Sequence, residues 1–155
     1  MTLYQDWMIN LSVASVTFVL VALVVLIHYE GLSHLNQKLA SIAQDINRTA
    51  RRRVVMYSIC AVIGLHIIEI WLFGISYNLL QRWPEMGFIH TNNQHHFFDD
   101  IYFAATVFSS VGFGDLVPVG PIRFLAGTEG LVGLVLIGWS ASFTYLEMQR
   151  YWPQR

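Results

Sequence analysis

Three long, nearly unbroken apolar runs divide the chain, and polar or charged connections separate them. The first extends from about Trp7 to Tyr29, with no charged residue between Asp6 and Glu30. The second, from about Val54 to Leu80, carries His66 and Glu69; the third, from about Pro121 to Met148, carries Arg123, Glu129 and Glu147. Each exceeds the roughly 20 apolar residues with which a helix crosses a hydrocarbon core. A fourth apolar piece, Phe97 to Phe108, is too short to cross and suits a helix that enters the membrane and turns back. Broken backbone of that kind is tolerated at membrane depth only where protein or a watery cavity surrounds it.

The first connection has a pattern of its own. Leu32, Leu35, Leu39, Ile42 and Ile46 recur at three- and four-residue spacing, with Ser33, His34, Asn36, Gln37, Lys38, Gln44 and Asp45 elsewhere on the wheel. That predicts an amphipathic helix of roughly two heptads. It can lie on the inner membrane surface, continue the first span, or pack against symmetry mates. In the second connection, Trp83-Pro84 is expected to end a helix, with Trp83 at the interfacial belt. Asp99 or Asp100 can cap the short helix, Asp99 if the helix begins near Asp100.

Composition agrees with a membrane chain: 55% of residues are apolar and 12% charged. The first run lacks a positive leading region and a small-residue cleavage site, so it reads as a retained span rather than a signal peptide. The single cysteine, Cys60, falls inside the second run, which excludes an intrachain disulfide. Lys38, Arg48, Arg51, Arg52 and Arg53 crowd the first connection, whereas Arg82 stands in the second with Glu85, Asp99, Asp100 and Asp115. The positive-inside rule therefore makes the first connection cytoplasmic, the amino terminus external and the carboxyl terminus internal. Arg51-Arg52-Arg53 is a contiguous cluster at a helix end, unlike the spaced arginines of a voltage sensor.

The densest chemistry lies in Ser109-Ser110-Val111-Gly112-Phe113-Gly114-Asp115. Gly112 and Gly114, at alternate positions, can take positive φ values that other residues avoid. A strand that alternates hand turns successive carbonyls the same way, and rings of such carbonyls replace the water shell of a dehydrated cation. The Ser110 hydroxyl adds one more oxygen to that queue. From about Phe98 to Glu147 the chain resembles the pore module of pore-loop potassium channels, whose filter usually reads Thr-Val-Gly-Tyr-Gly-Asp. The phenylalanine variant is similar to the two-pore-domain branch and to small prokaryotic relatives. Serine for threonine and phenylalanine for tyrosine are the departures.

The resemblance implies a selectivity filter over Ser110, Val111, Gly112, Phe113, Gly114 and Asp115. Potassium would be held by the backbone carbonyls of Val111, Gly112 and Phe113 with those of Ser110. It also implies four loops around an axis; one loop per chain then means a homotetramer with cyclic symmetry. Phe113 is expected to pack behind the filter, unable to make the hydrogen bond a tyrosine would, and Asp115 to sit at the outer mouth. The partial negative charge at the end of the short helix faces the cavity. Gly133 lies where many relatives keep a hinge glycine, although Gly127, Gly130 and Gly133 together also suit close helix packing.

Buried ionisable groups complete the candidates for gating or support. Glu129 is expensive inside a span unless paired or wetted; Thr106, Ser109 and the cavity are its candidate partners. His66 and Glu69 share a helical face and can pair with each other or reach Glu129. His90, His95 and His96, near Asp99 and Asp100, can titrate or hold zinc or copper, but two adjacent histidines without a positioned third ligand favour a solvated loop.

The expected fold is an all-α membrane protein with three transmembrane helices, a re-entrant pore helix and a filter loop, assembled as a tetramer. Its parts are an N-terminal helix over 1–30, a cytoplasmic connector helix over 31–53, a pore domain over 54–148 and a tail over 149–155. The pore domain comprises an outer helix over 54–80, pore helix and filter over 98–116, and an inner helix over 121–148. The expected function is passive potassium conduction in the plasma membrane. The alternatives are a weakly selective monovalent cation channel and a non-conducting scaffold or regulatory subunit. Potassium is the permeant ligand, with no cofactor; the partners are identical subunits and membrane lipid, not nucleic acid. No nucleophile with an oriented base supports an enzyme.

Overall fold

The computed structural model describes residues 3–42, 48–91 and 94–151. Its order is α1 (Leu3–Ile42), α2 (Arg48–Leu80), a short 3-10 turn (Pro84–Met86), β1 (Phe88–His90), α3 (Phe97–Phe108), β2 (Val117–Val119) and α4 (Arg123–Tyr151). Three of the helices, over Trp7–Ser41, Arg52–Leu80 and Arg123–Arg150, are long and apolar enough to cross a membrane.

No break falls at residue 30. The connector positions through Ile42 continue α1, and Arg48 to Arg53 open α2. The reason is the buried stripe on α1: Val13, Thr17, Leu20, Val24, His28, Leu32, Leu35 and Leu39 recur every three or four residues without a change of phase. At 40 residues α1 is about 60 Å long, twice the roughly 30 Å hydrocarbon thickness. Its far end packs Leu32, Leu35 and Leu39 against Val54 and Val62 of α2, with Phe143 of α4 alongside. The Lys38 ammonium donates to the Tyr57 hydroxyl at 3.0 Å across the same pair. Gln44, Asp45 and Ile46 of the expected connector helix lie outside the described residues, as do residues 152–155 of the expected tail; residues 149–151 belong to α4.

A larger core surrounds α3. Leu20 and Val24 from α1, Phe73, Tyr77 and Leu80 from α2, Phe103, Ala104 and Phe108 from α3, and Ile122, Leu125, Ala126 and Leu136 from α4 form one cluster. α3 is held chiefly by α2 and α4. α2 ends at Leu80, and the Trp83 N–H bonds back to the Leu80 carbonyl at 3.1 Å before Pro84 opens the 3-10 turn. β1 and β2 pair antiparallel, with Ile89 opposite Pro118, and tie the segment before α3 to the one after it.

The cap of α3 differs from expectation. His96, not Asp99, is the N-cap, and Asp99 occupies the third helical position. The Asp99 carboxylate accepts from the His96 backbone N–H at 2.7 Å. Phe97 and Phe98 are drawn into the first turn, where both ring-pack with Trp71 of α2, so the acid reaches back instead of capping directly.

Candidate functional site

The segment after α3 begins as a helix C-terminus. The Ser110 N–H donates to the Val107 carbonyl at 2.9 Å and the Val111 N–H to the Thr106 carbonyl at 2.9 Å. These paired bonds form a Schellman motif, which places the residue after the cap in the left-handed region. Here that residue is Ser110, at φ +57°, the lone non-glycine with positive φ among the described residues. Gly112 and Gly114 follow at φ +49° and +80°. Left-handed positions thus recur at 110, 112 and 114, while Val111 and Phe113 between them keep negative φ. The helix cap starts the alternation, and the glycines sustain it without a Cβ penalty.

Residues 109–115 are exposed in the single chain. Val111 and Phe113 are 54% and 71% exposed. The Phe113 ring stacks on Tyr102 of α3, centroids 6.5 Å apart and planes 2° from parallel. Asp115 borders an open cavity of about 530 Å³ with Thr91, Gln94, His96, Asp99 and Leu116.

Behind the segment, α4 presses on the end of α3. A Cβ on Gly133 would meet the Phe108 carbonyl oxygen and stand 2.8 Å from its carbon and 2.9 Å from its Cα. The position is a contact point between helices. Gly127 and Gly138 have nothing within 4 Å. Above it, Asp100 is fully buried and accepts from Asn78 Nδ2 at 2.8 Å and Gln81 Nε2 at 2.7 Å, with His95 Nε2 2.9 Å away. That network ties α3 to the end of α2.

Glu129 does not meet Thr106 or Ser109. The Thr106 hydroxyl bonds the Phe103 carbonyl at 2.9 Å, and Ser109 bonds the Ala105 carbonyl at 2.6 Å, each satisfied within its own turn. Glu129 Oε2 instead accepts from the Tyr77 hydroxyl at 2.6 Å, while Oε1 is buried without a hydrogen-bond partner among the described residues. His66 and Glu69 do pair: His66 Nδ1 lies 2.8 Å from Glu69 Oε2. The other carboxylate oxygen is 2.7 Å from His28 Nδ1 of α1. Sequence reading missed His28 and Tyr77, both without exposure. The signal for His28 was its phase on the buried stripe of α1; Tyr77 sits on the face of α2 that also carries Phe73. His95 pairs with Asp100, but among the described residues His90, His95 and His96 form no cluster of three donors as His28, His66 and Glu69 do.

Neither a curated protein nor a solved structure matches the chain. A family model described as ion channel matches residues 54–149, from the start of the apolar part of α2 almost to the end of α4. The matched region contains α3, the alternating-hand segment and both helices that pack α3 in place. The chain is a multi-pass membrane protein and belongs to the ion channel family.

Proposed function

We propose that this protein conducts potassium selectively and passively through a pore formed by four identical chains, with Ser110 to Asp115 as the filter. The observation that carries the reading is the alternation of hand at Ser110, Gly112 and Gly114. Successive carbonyls of such a strand can face one side, and four strands around an axis would give the oxygen rings that replace potassium's hydration shell. The exposure of Val111 and Phe113 in a single chain supports the assembly, because neighbouring subunits would cover them. A lone chain would leave unpaired filter backbone facing lipid, a costly state.

α3 then acts as the re-entrant pore helix, its carboxyl end directed at the dehydrating ion. α2 serves as outer helix and α4 as inner helix. Asp115, exposed directly after the filter, concentrates cations at the external mouth. Orientation follows the arginines: the α1–α2 hairpin is cytoplasmic and the plasma membrane is the setting. Potassium is the permeant ion, conduction itself uses no cofactor, and lipid surrounds the outer helices.

Phe113 supports a second reading, a weakly selective monovalent channel. Its ring rests on Tyr102 and has no hydroxyl with which to brace the strand. The test is flux from liposomes holding purified protein, with potassium, then sodium, inside. Barium-blocked potassium flux with sodium retained is expected. Equal sodium flux overturns selectivity, and no flux of either ion makes the chain a scaffold.

A further inference from the structure

We propose that His28, His66 and Glu69 form a buried zinc site that clamps α1 to α2 beneath the end of α3. Their donor atoms lie within 4.8 Å of one another. Two imidazole nitrogens and one carboxylate oxygen are a donor set suited to zinc, with a fourth position left open. Both rings present Nδ1, and each addresses a different oxygen of Glu69, at 2.7 and 2.8 Å. Tetrahedral arms of about 2.0–2.1 Å set ligand atoms about 3.3 Å apart, so loading moves the rings back by about half an ångström.

Charge argues for a cation here. His28 and Glu69 have no exposure, and His66 has little. Packed against them are Ser140 and Trp139 of α4 and Phe108 of α3, none of them ionisable. No lysine or arginine contacts the carboxylate among the described residues; its partners are the two imidazole nitrogens. A buried carboxylate in that position requires a positive partner.

The surroundings fit as well. His28 Nε2 lies 3.4 Å from the Ser140 hydroxyl, so the far ring nitrogen has an orienting neighbour on a third helix. His66 and Ser140 also line an open, mostly apolar groove of about 430 Å³ between α2 and α4, with Val62, Ile137 and Met148. The His66 and Phe108 ring centroids are 5.6 Å apart, so the clamp bears on the last residue of α3, two before the proposed filter.

The experiment is metal content and zinc titration of the full chain, stripped with chelator in detergent, with cobalt(II) as a spectroscopic probe. Expected are one tightly held ion per chain, tetrahedral visible bands with cobalt, and at least tenfold weaker zinc binding in Glu69→Gln and in His66→Asn. His66→Asn, at a partly exposed position, keeps the test sharp should Glu69→Gln fail to fold. A triple change of His90, His95 and His96 to Ala should leave the ion in place. Binding unaffected by the Glu69 and His66 changes, loss of the ion in the triple variant, or a stripped protein stabilised by acid and not by zinc would each overturn the proposal. The readout is binding, so its failure is separate from failure of potassium conduction.

Discussion

Gly133→Ala tests whether α4 braces the end of α3 through backbone contact. The added Cβ would meet three backbone atoms of Phe108, including the carbonyl carbon at 2.8 Å and Cα at 2.9 Å. No side-chain rotation can relieve a clash with backbone, so α4 must move. Overpacking of this kind costs about 1–3 kcal/mol. Exchanging a mid-helix glycine for alanine returns about 1 kcal/mol of helix preference. The net expectation is a loss of about 0–2 kcal/mol. Gly127→Ala and Gly138→Ala, where nothing lies within 4 Å, should show the helix gain alone. The informative quantity is the difference: Gly133→Ala should fall about 1–3 kcal/mol below either control. Thermal unfolding of the three purified variants measures it, and liposome flux should drop in Gly133→Ala while Gly138→Ala conducts like the parent. A Gly133→Ala protein as stable as the controls would refute the bracing argument. Normal stability with altered open times would instead restore the hinge.

The same geometry yields further expectations. Gly112→Ala and Gly114→Ala place a Cβ at φ +49° and +80°, at about 1–2 kcal/mol each, and should abolish potassium flux with helix content unchanged by circular dichroism. Tyr77→Phe removes the partner of Glu129 and should lower stability by about 1–3 kcal/mol in thermal melts, whereas Glu129→Gln, still able to bond Tyr77, should lose less. Asp100→Ala strands the Asn78 and Gln81 donors and should cost more than 2 kcal/mol, on the order of 1–3 for each buried group left unpaired. Phe113→Tyr adds the missing hydroxyl and should raise potassium over sodium flux if a polar neighbour is in reach; parity with the parent would remove the bracing explanation of selectivity.

What the sequence made legible follows from the kind of signal involved. Membrane spans and the glycine alternation are one-dimensional patterns: apolar length decides the first, and the absence of a Cβ decides the second. Ser110 shows where that ends. Its left-handed φ arises from the helix C-terminus that precedes it, through bonds to Val107 and Thr106, and no residue preference announces it. The connector illustrates a different limit. Its three-four spacing was visible, but its joining to the first span depends on whether the stripe of Leu32, Leu35 and Leu39 stays in phase with Val24 and His28.

Partner choice was the least legible part, and the reason is geometric. Glu129, Glu69 and Asp100 each had to find polar company inside a low-dielectric core, since an unpaired buried group is expensive. That requirement is readable from hydropathy alone. The identity of the company is set by which helix faces cross at that depth. Tyr77 lies on the same face of α2 as Phe73, which packs on Phe108. Its ring also meets Phe103 edge-on at 5.0 Å, so α3 positions the hydroxyl that reaches Glu129 on α4. His28 becomes a partner of Glu69 because α1 runs antiparallel to α2 through two cores in one register. A shift of one helical turn would bring Val24 or Leu32 against the carboxylate and leave it unsatisfied. The polar pairs therefore fix the register of an otherwise slippery apolar bundle, and through Phe108 and Gly133 that register sets the position of the alternating-hand segment.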